Sequence, residues 1–490
     1  MNKIVETNCG KVRGHIRDGR LEFLGIPYAE APVGPLRFRR CVPKRPWDGV
    51  FDAAAYGEPP VQMDGGMKKG SEDCLFVNIK RPATDEVLPV FVYIYGGGFN
   101  TGSTSDGLYV GDSFAEDGLV FVSFQYRLNV FGFYDFTTFP GCEDFDSNCG
   151  LSDQIEAMKW IQNNIAAFGG DPARITICGE SAGGSSVLNL MAAPDARGTF
   201  RQVIAESALP NCCMTHETAR ENIMIFLDGM GWTEKDIRKL KDIAPYEVLA
   251  ANEKVQKRGQ YRNPGMFLPG PVQDDLLPER PMDAIRSGSA KDIRLIIGTT
   301  KDEGTMFVHD EDTAFPNSWE MIENMFERNG HKDAFPAFKD YYASLENPFV
   351  RFATDYAFQV PALHLAAAQS MFNKNVWVFR YEFSSKSGME SGMRATHASE
   401  LPAVFAVAKD HPWADFLFAG EEEEAVTSII HDVHGNWVSF AKTGEPETKD
   451  WSPYAGDGSM GMIFDRTSRA EAFEQRDLLK LWGELRFYDK

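Results

Sequence analysis

The run Gly179-Glu180-Ser181-Ala182-Gly183 sets a serine among neighbours mostly too small to crowd it. Ile175, Thr176 and Ile177 just before it read as a buried strand, and Val187, Leu188 and Leu190 after it read as the start of a helix. G-x-S-x-G at a strand-to-helix corner suits a serine nucleophile. The glycines permit a sharp turn and a close backbone approach, and the hydroxyl is held at the tip. The helix N-terminus beneath it favours the negative charge that an acyl-transfer intermediate develops. The pentapeptide alone is short enough to arise by chance, so a working serine also needs a base, an orienting acid and oxyanion donors.

Candidates for each stand elsewhere in the chain. Tyr95-Gly96-Gly97-Gly98-Phe99 ends an apolar run, and consecutive glycines let backbone N–H groups face a cavity without side chains in the way. Gly97, Gly98 and Ala182 are the expected oxyanion donors. Of nine histidines, His397 lies late in the chain, in a loop rich in small and polar residues, where a Ser–acid–His order places the base. His431 and His434 read as surface or packing residues, since no carboxylate near them has metal-site spacing. For the acid, Lys301-Asp302-Glu303-Gly304 follows the apolar run 293–298, and local grounds do not choose between Asp302 and Glu303.

The elements that must position these residues are apolar runs at 87–95, 119–126, 175–178, 202–206, 293–298 and 376–383, separated by helical stretches. Leu151, Ile155, Met158, Ile161 and Ile165 keep near-helical spacing, predicting a helix from Leu151 to Phe168 that Gly169-Gly170 ends. Continuous apolar strands alternating with helices predict an α/β fold with a mostly parallel sheet covered on both faces. Residues 213–290 read as a helix-rich insertion, expected to form a lid or pocket wall, with further helices expected around 315–370.

With 50 basic and 71 acidic residues among 490, the formal charge is −21. This argues against nucleic-acid or anionic-membrane binding and favours a self-repelling monomer or small homo-oligomer. No apolar run is long enough for a membrane span, and the N-terminus lacks a signal-like apolar segment. Eight cysteines without zinc spacing suit a reducing, cytoplasmic setting. The acidic run 421–424 reads as a solvated helix start.

Taken together, FLGIPYAEAPVGPLRF (23–38), SEDCLFVNI (71–79), YGGGF (95–99), NCGLSDQIEAMKWIQNNIAAFGGDPARITICGESAGG (148–184), TKDEG (300–304), HASELP (397–402) and WVSFAKTGEP (437–446) resemble, in order and spacing, the type-B carboxylesterase family of the α/β-hydrolase fold. The resemblance covers almost the whole chain and lies nearest the bacterial p-nitrobenzyl-type esterases. It implies one α/β-hydrolase domain over 1–490 and a serine carboxylesterase working through an acyl-enzyme. By position it makes Ser181 the nucleophile, His397 the base and Glu303, rather than Asp302, the acid. Glu180 and Ser207 fall where relatives carry polar residues near the triad.

Two departures inform the expectation. Secreted relatives pair the position of Cys74 with an upstream cysteine, but YGEPPVQMDGGMKKG (56–70) has none, so Cys74 is expected to be a free thiol. The same segment lacks the tryptophan that cholinesterases place against quaternary ammonium, which makes choline esters poor candidates. No metal or organic cofactor is implied; the partner is a small-molecule ester. Phe99, Met266, Phe267 and Phe307 are candidates to line an apolar pocket, with core packing the alternative for each. The rival readings are a non-catalytic binding member of the fold, or an enzyme acting mainly on amides or as an acyltransferase.

Overall fold

The computed structural model describes residues 3–210, 212–266, 269–309, 313–407, 412–456, 458–473 and 476–488. Phe267 lies outside these residues.

The apolar runs become the centre of a thirteen-stranded sheet. Seven neighbouring strands join by parallel pairings in the spatial order Val120–Phe124, Leu88–Ile94, Gly170–Glu180, Gln202–Glu206, Arg294–Thr300, Val376–Tyr381 and Met460–Phe464. Antiparallel strands extend both flanks: Phe76–Pro82 and Arg20–Pro27 on one side, Arg469–Ala472 on the other. All seven residues of Leu88–Ile94 and all five of Val120–Phe124 and of Gln202–Glu206 are buried. A sheet covered on both faces removes the need for polar alternation, and this produces the uninterrupted apolar runs.

The helix over Cys149–Asn164 continues as a 3-10 turn, Ile165–Phe168, and stops where Gly169 takes φ +77°. Its buried Asp153 accepts from the Nε and Nη2 of the equally buried Arg127, at 2.8 and 2.7 Å. That pair anchors the loop after Val120–Phe124 to the helix. Helices also occupy the two stretches expected to be helical: His216–Met230, Pro245–Arg262 and Pro281–Arg286 in the first, and Trp319–Arg328, Phe335–Ala343, Pro348–Thr354 and Val360–Ser370 in the second.

The acidic run departs from its expectation in part. Glu423 and Glu424 open the helix Glu423–Thr443, but Glu421 is buried and paired with Arg466. A guanidinium reaching in from a distant strand end supplies the partner that local sequence does not show.

Candidate active site

The parallel register delivers the candidate residues to one edge. Glu180 pairs with Glu206, and Glu206 with Gly298, so the carboxyl ends of three adjacent strands lie side by side. Ser181, Ser207 and the Thr300–Glu303 turn emerge there together, where ligands of open α/β sheets bind.

Ser181 stands between the strand Gly170–Glu180 and the helix Ala182–Ala192 with φ +59° and ψ −122°. A non-glycine residue there is strained and persists only where its surroundings over-determine it. They do so here: the Ser181 N–H donates to the Glu206 carbonyl at 2.9 Å, and its carbonyl accepts from the Ser185 N–H at 2.8 Å. The glycines of the motif are needed for space. A Cβ on Gly179 would meet the Gly183 carbonyl oxygen at 2.4 Å, and one on Gly183 would meet the Ile94 oxygen at 2.0 Å.

His397 and Glu303 come from loops 94 residues apart in the chain and meet through Nδ1–H donating to Oε2 at 2.5 Å. Glu303 is fully buried, and its other oxygen accepts from the Ser207 hydroxyl at 2.6 Å and the Thr300 N–H at 2.8 Å. Three donors on one carboxylate fix its rotamer and offset its desolvation. The two loops are also laced directly. The Asp302 N–H donates to the Ala395 carbonyl at 2.9 Å, and the Thr305 hydroxyl reaches the Met393 carbonyl and the Thr396 hydroxyl, each at 2.8 Å. Of the two acids that local sequence left open, Glu303 places its carboxyl on the histidine, and Asp302 meets the histidine loop through its backbone N–H.

Nε2 of His397 makes no hydrogen bond among the described residues, although Oε1 of Glu180 lies 3.0 Å away. Glu180, Glu206 and Glu400 form a buried group of carboxyls around this point. Burial, then the charges of Glu303 and Glu206, push Glu180 well above the usual carboxyl range. Burial raises Glu400 likewise, with Glu180 next in effect, and raises Glu206 to about 7 against hydrogen bonds from Trp437 and Cys178. Raised in this way, the three buried acids favour their neutral forms, which lets them share one region beside Glu303, whose carboxyl accepts three hydrogen bonds.

At the glycine turn, Gly97 and Gly98 have φ of +104° and +62°. The Gly97 carbonyl accepts from the Asn100 and Thr101 N–H groups, and the Gly98 carbonyl from the Asn100 side chain. Among the described residues no acceptor pairs with the N–H of Gly97, Gly98 or Ala182.

The aromatic candidates separate. Phe307 lies against His397, ring centroids 4.8 Å apart. Phe99 is fully buried in the core, 4.4 Å from the ring of Phe133. Met266 packs with Met214, Ala219 and Val272. Phe358, which sequence reasoning missed, is the second ring on His397 at 4.9 Å. No motif marks it. Glu206 and Glu400 were missed as well, although each sits inside a quoted or neighbouring stretch of the resemblance, Glu400 within HASELP.

A strained serine corner above the carboxyl ends of a mostly parallel sheet, with helices on its faces, defines the α/β-hydrolase class. Within that class the chain matches the carboxylesterase family over residues 1–481 and belongs to it. It is 35% identical over 475 residues to the para-nitrobenzyl esterase of Bacillus subtilis (strain 168), covering 95% of each chain. It is 33% identical to the phenmedipham hydrolase of Pseudarthrobacter oxydans, covering 92% of each. A solved thermophilic PNB esterase superposes with a TM-score of 0.88 at 33% identity, over 98% of this chain and 100% of that one. The protein is thus a serine carboxylic ester hydrolase. No described helix is long and apolar enough to cross a membrane.

Proposed function

We propose that Ser181 attacks the ester carbonyl while Nε2 of His397 takes its proton, and that Glu303 holds the imidazole in the tautomer with hydrogen on Nδ1 and stabilises its charged form. The N–H groups of Gly97, Gly98 and Ala182 receive the tetrahedral oxyanion. The leaving alcohol takes the proton from His397, and water then attacks the acyl-enzyme with the same base. The observation that carries this reading is the Ser207–Glu303–His397 chain of short hydrogen bonds, whose far end, Nε2 of His397, lies 3.0 Å from the carboxyl of Glu180, the residue before the strained Ser181.

The substrates are small uncharged esters with an apolar or aryl part. The aromatic faces of Phe307 and Phe358 beside His397 support this, as do the relatives whose names give para-nitrobenzyl and phenmedipham as their substrates. The helical segments 213–290 and 315–370 supply the walls of that pocket. Eight free thiols support a reducing, cytoplasmic setting, and the Bacillus relative supports a bacterial one. A charge of −21 supports a monomer or small oligomer that does not bind nucleic acid.

Hydrolysis of p-nitrophenyl acetate, butyrate, octanoate and laurate, with Ser181→Ala alongside, tests the reading. Turnover that vanishes in the variant supports it, and the chain-length optimum sizes the pocket. Equal release by both proteins overturns the assignment of Ser181.

A further inference from the structure

His397 is flanked by two aromatic rings. One, Phe307, sits just beyond Glu303, in the turn the acid itself occupies. The other, Phe358, comes from a separate segment whose backbone is irregular. Residues Asp355–Gln359 form a π-turn between the helices Pro348–Thr354 and Val360–Ser370, and the Val360 N–H donates to the Asp355 carbonyl five residues back. Pro361 contributes to the slip in register: it has no N–H for the Ala357 carbonyl, and its ring crowds that position. π-turns are rare within helices and are frequently found at functional sites.

This π-turn is gripped at its first residue. Asp355 is fully buried; Oδ2 accepts from the Tyr342 hydroxyl at 2.9 Å and Oδ1 lies 3.1 Å from Nη2 of Arg351. Tyr342 is held in turn by the Trp482 indole N–H at 2.9 Å. One residue earlier, the Thr354 hydroxyl accepts from the Gly304 N–H at 3.0 Å, so the segment is tied to the residue after Glu303. The approach is close, since a Cβ on Gly304 would meet the Val350 carbonyl oxygen at 2.3 Å. Three positions further on, Phe358 is fully buried, 4.9 Å from the His397 ring and stacked on Phe307 at 5.8 Å.

A buried carboxyl held by an arginine and a tyrosine is costly to desolvate and gives little net stability relative to an apolar replacement. Its use here is orientation. We propose that Asp355 is a positioning residue for the hydrolysis: by gripping Tyr342 and Arg351 it fixes the π-turn that lays Phe358 against His397, and so sets how tightly the imidazole is held for proton transfer. The inference rests on His397 as the base.

The test is a double-mutant cycle on Asp355→Asn and Phe358→Leu, read as kcat and KM on p-nitrophenyl butyrate. Competent sites are counted by stoichiometric p-nitrophenol release from diethyl p-nitrophenyl phosphate. Each single change is expected to lower kcat per titrated site about tenfold with KM moved less than about twofold, because small misplacement of a catalytic group is expensive. The double variant is expected to be no slower than the slower single one, the mark of two residues acting on one element. A wild-type kcat per site in Asp355→Asn overturns the proposal, even with a lowered urea midpoint, and so do effects that multiply independently. If Asp355→Asn yields no folded protein, Tyr342→Phe takes its place in the cycle under the same criterion. His397→Ala separates the failures: full activity in that variant overturns the base assignment itself, whatever the cycle shows.

Discussion

Ser207 donates its hydroxyl to Oε1 of Glu303 at 2.6 Å, and the two residues are 96 apart in sequence. The contact exists because Ser207 extends the strand Gln202–Glu206 and Glu303 closes the turn after the neighbouring strand, Arg294–Thr300. Among the described residues it leaves Oε2 to His397. Replacing Ser207 by alanine removes one of three donors from a buried carboxylate, a hydrogen bond of about 1.5–3 kcal/mol. The expected result for Ser207→Ala is a kcat on p-nitrophenyl butyrate lowered about tenfold or more, with KM little changed.

Glu303 and Asp302 are adjacent and chemically alike, yet their variants are expected to differ by orders of magnitude. Glu303→Gln keeps the volume but loses the charge that fixes the histidine tautomer, for a kcat loss on the order of 10³–10⁴. Asp302 touches the histidine loop through its backbone N–H, which Asp302→Asn retains. Its kcat is expected within about threefold of wild type. Steady-state kinetics of the two variants side by side checks this.

Glu206 gives a pH signature in stability. Its folded pKa is raised from 4.5 to about 7, chiefly by burial. Between those values the folded chain holds a proton that the unfolded chain has lost, so stability from this group is full below about pH 4.5 and declines until about pH 7. Glu206→Gln carries no such proton. Relative to wild type it is expected to gain stability from pH 5 to about pH 7 and to level off by pH 8, the whole effect reaching up to ~3 kcal/mol. Urea unfolding at pH 5, 6, 7 and 8 reads the difference; a constant offset across the series contradicts it.

Gly183→Ala is expected to fail at the fold. The added methyl would meet the Ile94 carbonyl oxygen at 2.0 Å and the Tyr95 carbonyl carbon at 2.9 Å, backbone atoms at the end of a central strand and just beyond it. Overpacking of this kind costs about 3 kcal/mol, measurable as a lowered denaturation midpoint together with lost activity.

Asp153→Asn tests an anchor away from the chemistry. It leaves the Arg127 guanidinium buried without its counter-charge, a loss of about 3–5 kcal/mol. Denaturant unfolding is expected to show that loss, while the protein that remains folded keeps its KM.

The sequence alone determined the sheet and the sharp serine corner, because both rest on local physics. Uninterrupted apolar runs follow from burial on both faces, as in Leu88–Ile94, and the Gly179–Gly183 spacing follows from a turn that has no room for side chains. Helical periodicity likewise marked a helix from Leu151 to Phe168, which the structure forms as Cys149–Asn164 and a 3-10 turn, since one face of that helix repeats at a fixed interval. Tertiary structure decided what depends on residues distant in the chain. Local residue chemistry left Asp302 and Glu303 equivalent; the resemblance chose between them, and the 393–397 loop meets one through its side chain and the other through its backbone. Glu421 looked solvated until Arg466 came within reach. Phe99 and Phe307 are the same side chain, and packing sends one into the core and the other onto His397. Asp355 and the ring of Phe358 carry no sequence signal, and Glu206 and Glu400 carry none beyond their place in or beside stretches of the resemblance. Their roles arise from desolvation and from partners supplied by other strands and helices, which no local spacing records.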